Sequence, residues 1–217
     1  MIDVRLRFSK LFGARYISHL DLMRCFQRAV RKSALPVWYT EGFNSHLYIT
    51  FASPLSLGFE SICEAADIRL SGDEPEQYMA ERINSGLPFG VEVMSAGRAV
   101  MKPGEIAFSR YIIELGGEPA SELAAAIEQT LLDPPSVQKK TKKGGVREID
   151  LKAGIAKSAV STAGGLCFWD VTLASGSDDA VNPKLALEAL SKTLKKEPEH
   201  QLIKRTQLLT RDMRLFE

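Results

Sequence analysis

Long apolar stretches, paired cysteines and an excess of one charge are all missing from this 217-residue sequence. No window approaches the roughly 18 apolar residues that a membrane-spanning helix needs, and the N-terminus lacks the apolar core of a signal peptide. We therefore expect a cytoplasmic protein without a membrane segment. Because the formal net charge is only +1, any argument for binding to nucleic acid must depend on local clusters of charge.

Cysteine and metal-binding patterns are equally scarce. The three cysteines are far apart and have no histidine at metal-ligand spacing, which predicts free, buried thiols rather than disulfides. The sequence also lacks a closely spaced cysteine set for an iron–sulfur cluster, a glycine-rich phosphate loop and the spacing of a known catalytic triad. We expect no metal, no cofactor and no independent catalytic activity.

The first half of the chain contains an ordered series of strand and helix signals. Residues 2–8 alternate between apolar and polar types, which predicts a strand, and residues 19–33 have the apolar spacing of an amphipathic helix. The resulting order, β-α-β-β-α-β, is typical of a ferredoxin-like domain, in which two helices cover one face of an antiparallel sheet. The other predicted elements of this half are strands at 47–52, 62–70 and 91–94 and a helix from Pro75.

Residues 102–104, Lys-Pro-Gly, predict a domain boundary, and beyond them the same order of elements returns with an insertion near 150–163. The sequence therefore predicts an α+β protein of two tandem ferredoxin-like domains, at 1–101 and 105–217. The elements predicted for the second half are strands at 107–115, 166–173 and 201–209, helices at 120–132 and 183–195, and a hairpin at 137–151.

The segment from residue 15 to residue 46 holds the most unusual residues. Ser18 followed by Asp21 predicts a capped helix start at His19, because a serine oxygen can accept a bond from the first-turn backbone. The apolar stripe faces inward and leaves basic residues on the outside of the helix. The basic residues of this first cluster are Arg15, Arg24, Arg28, Arg31 and Lys32.

A second basic cluster and an aromatic loop add to this pattern. Basic patches combined with exposed aromatic residues are typical of proteins that bind RNA, since cations contact phosphates and rings stack on bases. A charge run is also typical of an ordinary solvated surface, and the aromatic residues could belong to the core. The candidates are Lys139, Lys140, Lys142, Lys143 and Arg147 in the hairpin, and Trp38, Tyr39, Phe43 and Asn44 in the loop.

Two histidines in this region are candidates for acid–base chemistry. His19 lies at the predicted helix start, where the helix dipole disfavours its charged form, so it could act as an acid, a base or a phosphate ligand, or simply bond to the loop. His46 lies near Asn44 and Tyr39, in what is either a polar pocket or an ordinary turn. Asp21 could orient His19, but helix capping is the simpler role.

The same segments resemble a known family. Residues 15–24, 41–46, 51–58 and 60–61 are similar to the radical-SAM-linked protein family, and a weaker similarity returns at 146–152. That family is a bacterial domain of unknown function, encoded beside or fused to a radical S-adenosylmethionine (SAM) protein that often has a cobalamin-binding region. The resemblance implies a radical SAM protein as a partner and implies no reaction for the chain itself.

Three interpretations of function remain open. The basic clusters and the resemblance together predict an accessory protein that binds transfer or ribosomal RNA for a radical SAM partner that modifies it. Without RNA, the protein would be a scaffold for that enzyme and would dock through the region of His19 and His46. The third interpretation is a metal-independent endoribonuclease similar to RAMP-type enzymes, whose C-terminal glycine-rich loop is missing here. In that case His19 or His46 would be the base, Tyr39 the acid, and a lysine within 139–143 would stabilise the phosphorane.

Overall fold

A computed structural model describes residues 1–72, 74–140, 145–176 and 180–217, without the side chains of Lys139, Lys140, Val146 and Arg147. The chain divides into two compact units. Unit 1 comprises residues 1–105 together with 216–217, and unit 2 comprises residues 106–215. Among the described residues, no helix is both long and apolar enough to span a bilayer.

Unit 1 is a four-stranded antiparallel sheet with two helices. Its strands lie in the order β4-β1-β3-β2. A 3-10 turn, Phe12–Tyr16, joins the first strand to the first helix. The elements are β1 (Ile2–Lys10), α1 (His19–Lys32), β2 (Ile49–Phe51), β3 (Glu60–Leu70), α2 (Glu76–Asn84) and β4 (Val91–Arg98).

The core of unit 1 lies against α1, whose predicted inward residues are buried. Phe26 is fully buried, and its ring lies 4.8 Å from that of Phe8 and 5.5 Å from that of Phe51. Burial of one such phenylalanine contributes about 2–3 kcal/mol. The same side chains therefore set the orientation of α1 and determine which residues it presents to solvent. The inward residues are Leu22, Phe26, Ala29 and Val30.

Unit 2 also has four antiparallel strands in one sheet, in the order β10-β5-β9-β8, with a separate hairpin formed by β6 and β7. Its last long helix begins at Pro183, where Asn182 accepts a bond from the backbone of Lys184. The elements are β5 (Ile106–Gly116), α3 (Ala120–Leu132), β6 (Val137–Lys140), β7 (Val146–Ile149), α4 (Leu151–Gly154), β8 (Ile155–Ala163), β9 (Leu166–Ala174), α5 (Pro183–Leu194) and β10 (His200–Thr210).

The prediction that residues 150–163 form an insertion is wrong, because β8 is a strand of the sheet. Seven of its nine residues are exposed, so it lacks the apolar alternation by which a strand is predicted from sequence. The inserted element is instead the hairpin of β6 and β7, which pair only with each other within the described residues. Each unit combines antiparallel strands with helices, so the predicted α+β class is confirmed.

Candidate nucleic-acid interface

The N-terminus of α1 is capped by a small hydrogen-bonded network of polar side chains. Ser18 accepts a bond from the backbone of Asp21 at 3.2 Å and donates its hydroxyl to the Asp21 carboxylate at 2.7 Å. Arg24 binds the other oxygen of that carboxylate at 2.8 Å. The bonds from Ser18 and then from Arg24 lower the pKa of Asp21. Asp21 therefore serves the helix cap, and its described bonds do not include His19.

Four basic residues of α1 form an exposed surface that we call the α1 basic face: Arg24, Arg28, Arg31 and Lys32. Their spacings of four, three and one place them on one side of a helix with 3.6 residues per turn. Arg24 is paired with Asp21, and Lys32 donates to the carbonyl of Ser85 at 3.3 Å. Within the described part of the chain, Arg28 and Arg31 have no hydrogen-bond or ion-pair partner. Two guanidinium groups are thus available for an external anion.

The aromatic loop is a short hairpin that presents one ring to solvent. Tyr39 pairs with Leu47, and Thr40 donates its N–H to the carbonyl of His46 at 2.9 Å. Gly42 has φ +115°, a backbone conformation that residues with a side chain rarely adopt, and it turns the chain at the tip of the hairpin. The next residue, Phe43, is fully exposed, with a relative exposure of 105%. Asn44 is also exposed.

Trp38, in contrast, is half-buried, and its ring packs edge-on against that of Tyr48. The Arg69 guanidinium lies 5.4 Å from the Trp38 ring and 4.5 Å from that of Tyr48. Arg69 is held there by two bonds to the carboxylate of Asp3, at 2.6 and 3.0 Å. The predicted aromatic set thus has two environments, because Phe43 is open to solvent while a cation covers Trp38.

The two candidate histidines have separate surroundings. The His19 ring packs edge-on against Phe51, with centroids 5.3 Å apart. The Nδ1 atom of His46 lies 3.0 Å from both the Thr40 hydroxyl and the Asn44 carbonyl. No hydrogen bond between His19 and His46 occurs among the described residues. The Asn44 carbonyl only accepts, so its bond requires a hydrogen on Nδ1 and makes Nε2 the acceptor of the neutral ring. Tyr39 is 40% exposed.

Of the second basic cluster, Lys142 and Lys143 lie outside the described residues. The backbones of Lys139 and Arg147 pair directly across the β6–β7 hairpin, and Lys140 pairs with Val146. Their side chains lie outside the description as well. Binding of RNA by this cluster stays a prediction.

Sequence analysis missed a buried polar group beside the 3-10 turn, which we call the Lys10 cluster: Lys10, Arg15, Glu60 and Glu64. Lys10 is 1% exposed, and its ammonium donates to the Ile17 carbonyl at 2.8 Å. The Glu60 carboxylate accepts the Phe12 N–H at 3.0 Å and lies 3.7 Å from the Arg15 guanidinium. Burial lowers the pKa of Lys10, and the charge of Glu64 partly opposes that shift. Arg15 therefore belongs to this cluster as well as to the predicted basic set.

The same turn carries an exposed apolar surface, the turn patch. Phe12 and Phe89 stack nearly parallel with centroids 5.8 Å apart, although they are 60% and 86% exposed. Phe12 has φ +53°, a strained conformation for a residue with a side chain. Exposed apolar groups collected in this way mark interaction surfaces more often than isolated ones do. The patch comprises Phe12 and Phe89.

The three cysteines are free in the structure. Cys167 is buried as predicted, and burial raises the pKa of its thiol. Cys25 and Cys63 are only half-buried, so the expectation that all three thiols are buried is wrong. Cys63 lies at the surface side of β3, where its backbone N–H bonds to the Ser61 hydroxyl at 3.2 Å.

Comparison with solved structures and curated proteins bears on the fold. A chain of the Cbf5-Nop10-Gar1 complex is 10% identical with a TM-score of 0.51, and the match covers 94% of this chain and 48% of that one. The present chain thus spans about half of that chain, and at this identity the likeness concerns the fold alone. An unknown protein from Galdieria sulphuraria is 13% identical with coverages of 94% and 96%, but its TM-score is 0.27. The comparison with curated proteins gives no match.

A family model provides the sequence relationship. The model described as "Uncharacterized protein conserved in bacteria (DUF2344)" matches residues 4–183, which include the α1 basic face, the loop hairpin and the Lys10 cluster. Because the match extends over most of the chain, the protein belongs to the DUF2344 family of bacterial proteins.

Proposed function

We propose that this protein is a cytoplasmic accessory protein that binds transfer or ribosomal RNA through the α1 basic face and presents it to a radical SAM partner. The observation that carries the proposal is the pair Arg28 and Arg31, both exposed and both without a partner in the described part of the chain. Arginine suits this role because its fixed fork of N–H groups matches the oxygens of a phosphate.

The neighbouring elements suit RNA for separate reasons. Phe43 offers a fully exposed ring, and stacking of a base on an aromatic side chain contributes about 1–3 kcal/mol. The apolar stripe of α1 anchors the helix to the sheet, so that the arginines project from a rigid element. The radical SAM partner comes from the family resemblance, and it would supply the chemistry of the modification.

The proposal extends to the fold. We propose that each unit is a ferredoxin-like domain, with the hairpin of β6 and β7 inserted in the second. The support is the common strand order: each sheet places its fourth strand beside the first, then the third, then the second, when the inserted hairpin is left out. Sheets of this type are a frequent platform for single-stranded RNA.

The double variant Arg28→Ala/Arg31→Ala is expected to weaken RNA binding about tenfold at low salt and to make the negative slope of log K against log salt shallower by about 1.4. Two phosphate contacts are lost, and each contact to a single strand contributes about 0.7 to that slope through counterion release. Filter binding with a mixture of short RNAs over a salt series measures both quantities. Lys102→Ala/Lys152→Ala also removes two positive charges, but outside the α1 basic face, and is the control. Binding that does not depend on salt, or an equal loss in the control, contradicts the proposal.

A second candidate function, a scaffold that docks the radical SAM enzyme without RNA, is favoured by the turn patch, which then replaces the region of His19 and His46 as the docking surface. Phe12→Ala/Phe89→Ala removes two exposed apolar side chains, 60% and 86% exposed, whose rings stack on each other. A co-expressed radical SAM partner is expected to co-purify with Phe43→Ala and not with the patch variant. The absorbance at 260 nm of the purified complex is expected to show that it contains no RNA. Retention of the partner by the patch variant would argue against docking at this surface.

A further inference from the structure

Unit 2 contains a cavity of about 500 Å³ on its sheet, which we call the sheet pocket. Side chains from all four strands line it, together with Met213 from the turn after β10. Its volume lies in the range of small-molecule sites, which is about 300–1,000 Å³. The pocket shares no residue with the α1 basic face, and no sequence motif pointed to it.

A polar row crosses the pocket from one edge of the sheet to the other. In the strand register Gln207 lies opposite Arg110, Arg110 opposite Thr172, and Thr172 opposite Lys157. Directly opposed residues of antiparallel strands present their side chains on the same face with Cβ atoms about 5 Å apart. Four adjacent strands thus place an amide, a guanidinium, a hydroxyl and an ammonium in one line.

The charges of this row leave a net positive site. Arg110 is held by Asp170 through two bonds, one of 2.8 Å from Nε to Oδ1 and one from Nη2 to Oδ2. The remaining nitrogen, Nη1, makes only a long contact of 3.4 Å with the Gln207 side-chain oxygen. Lys157 is exposed and has no ion-pair partner among the described residues. Two cations therefore face one carboxylate, and Nη1 and the ammonium can both donate to an anion.

The other wall of the pocket is apolar. Leu209 is buried at the end of β10, and Met213 is placed beside it by a tight turn in which its N–H donates to the Thr210 carbonyl at 3.0 Å. Met213 has φ +60°, so the turn holds this side chain at some conformational cost. A thioether is polarizable and makes favourable contacts with aromatic rings.

We propose that the sheet pocket binds a nucleoside monophosphate unit, with its phosphate on Lys157 and Arg110 and its base against Met213 and Leu209. The site has one net positive charge for one phosphate, an apolar wall for one ring, and the Gln207 amide to bond the polar edge of the base. The unit is either a free mononucleotide or one nucleotide of an RNA strand. The inference rests on unit 2 alone and stands independently of the α1 basic face.

The test is a titration of the full chain, isotope-labelled at its methionine methyl groups, with AMP or UMP up to about 10 mM, followed by NMR. We expect a saturable shift of the Met213 methyl signal, and binding about tenfold weaker for adenosine or uridine, because they lack the phosphate. Inorganic phosphate that binds as tightly as the monophosphates overturns the nucleotide class. The absence of a saturable Met213 shift overturns the site.

Variants of the pocket locate the bound phosphate, and a longer ligand shows whether the nucleotide is free or part of an RNA strand. Lys157→Gln removes an exposed ammonium and is expected to weaken monophosphate binding about tenfold, while Lys152→Gln, on α4 outside the pocket, leaves it unchanged. Equal affinities for Lys157→Gln and the unchanged protein contradict the proposal. A tetranucleotide that binds at least about tenfold more tightly than the monophosphate, and whose affinity falls by the same factor in Lys157→Gln, assigns the site to an RNA strand. Equal affinities of the tetranucleotide and the monophosphate assign the site to a free mononucleotide. Arg28→Ala/Arg31→Ala is expected to leave monophosphate binding intact, which separates this site from the α1 basic face.

Discussion

Lys10→Ala is expected to lower the free energy of unfolding by about 3 kcal/mol, because it empties a buried position and removes the hydrogen bonds that the buried ammonium donates. The Lys10 side chain is 1% exposed and donates to the Ile17 carbonyl at 2.8 Å. The nearby Glu64 is also buried, at 4% exposure, and its negative charge acts on Lys10. The Lys10 ammonium also donates to the Arg15 carbonyl at 3.4 Å, but this carbonyl loses less in the variant because it accepts the Gly58 N–H as well, at 2.9 Å.

Urea unfolding followed by circular dichroism measures this loss. Lys102→Ala, at an exposed position of the same unit, is the control and is expected to change stability by less than about 0.5 kcal/mol. Lys10→Met keeps most of the volume and should recover about 1 kcal/mol relative to alanine. A Lys10→Ala protein as stable as the control would mean that the ammonium contributes nothing to the turn.

The contribution of Lys10 also depends on pH, with a sign that follows from its lowered pKa. Between that lowered value and the ordinary value of about 10.4, the unfolded chain binds more protons at this residue than the folded chain does. The stability of the unchanged protein therefore rises with pH through this alkaline window relative to Lys10→Ala, because the cost of burying the charge is relieved. A stability difference that stays constant from neutral to alkaline pH would contradict the lowered pKa.

The burial of Lys10 shows where prediction from the sequence ends. In the sequence, Lys10 follows a predicted strand at 2–8 and looks like an ordinary turn residue. The charge that acts on Lys10 comes from Glu64, which is 54 positions away and belongs to β3, the strand paired with β1. In contrast, α1 was predicted to within one residue, since its signals are local: a serine cap, an acidic first turn and an apolar stripe.

The candidate sites divide in the same way. The α1 basic face follows from the spacing of residues along one helix, so the sequence alone predicts it. The aromatic loop was predicted as a group, but the different environments of Phe43 and Trp38 depend on Arg69, a residue of β3. The polar row of the sheet pocket joins Gln207 to Lys157 across four strands, and β8 itself was predicted as an insertion. Residues that strand pairing brings together from distant parts of the chain have no short-range sequence pattern from which their proximity could be predicted.

Gly90→Ala is expected to have a still larger effect, a loss of about 4 kcal/mol, because two separate costs fall on one residue. Gly90 has φ +84°, which residues with a side chain rarely adopt. A Cβ atom placed there would lie 2.5 Å from the Leu11 carbonyl oxygen and 3.0 Å from the Ala14 Cβ. The clash cannot be relieved by a side-chain rotation, since the first contact is with backbone.

The Leu11 N–H also donates to the Gly90 carbonyl at 2.7 Å, so separating the two segments would break that bond. The Gly90 position therefore connects the start of β4 to the 3-10 turn that carries Phe12, whose ring stacks on Phe89. We expect Gly90→Ala to loosen the turn patch as well as to destabilise unit 1. Near-ultraviolet circular dichroism, which reports on packed aromatic rings, should lose signal in this variant before global unfolding.

Gly13→Ala is the matched control, because it lies in the same turn, has no positive φ and would place its Cβ with no heavy atom within 4 Å. Removing this glycine should leave stability unchanged or raise it by about 0.4–1 kcal/mol, since alanine reduces the entropy of the unfolded chain. Urea unfolding of the two variants side by side gives the comparison. If both have the same midpoint, neither the backbone conformation of Gly90 nor its approach to Leu11 limits the stability of unit 1.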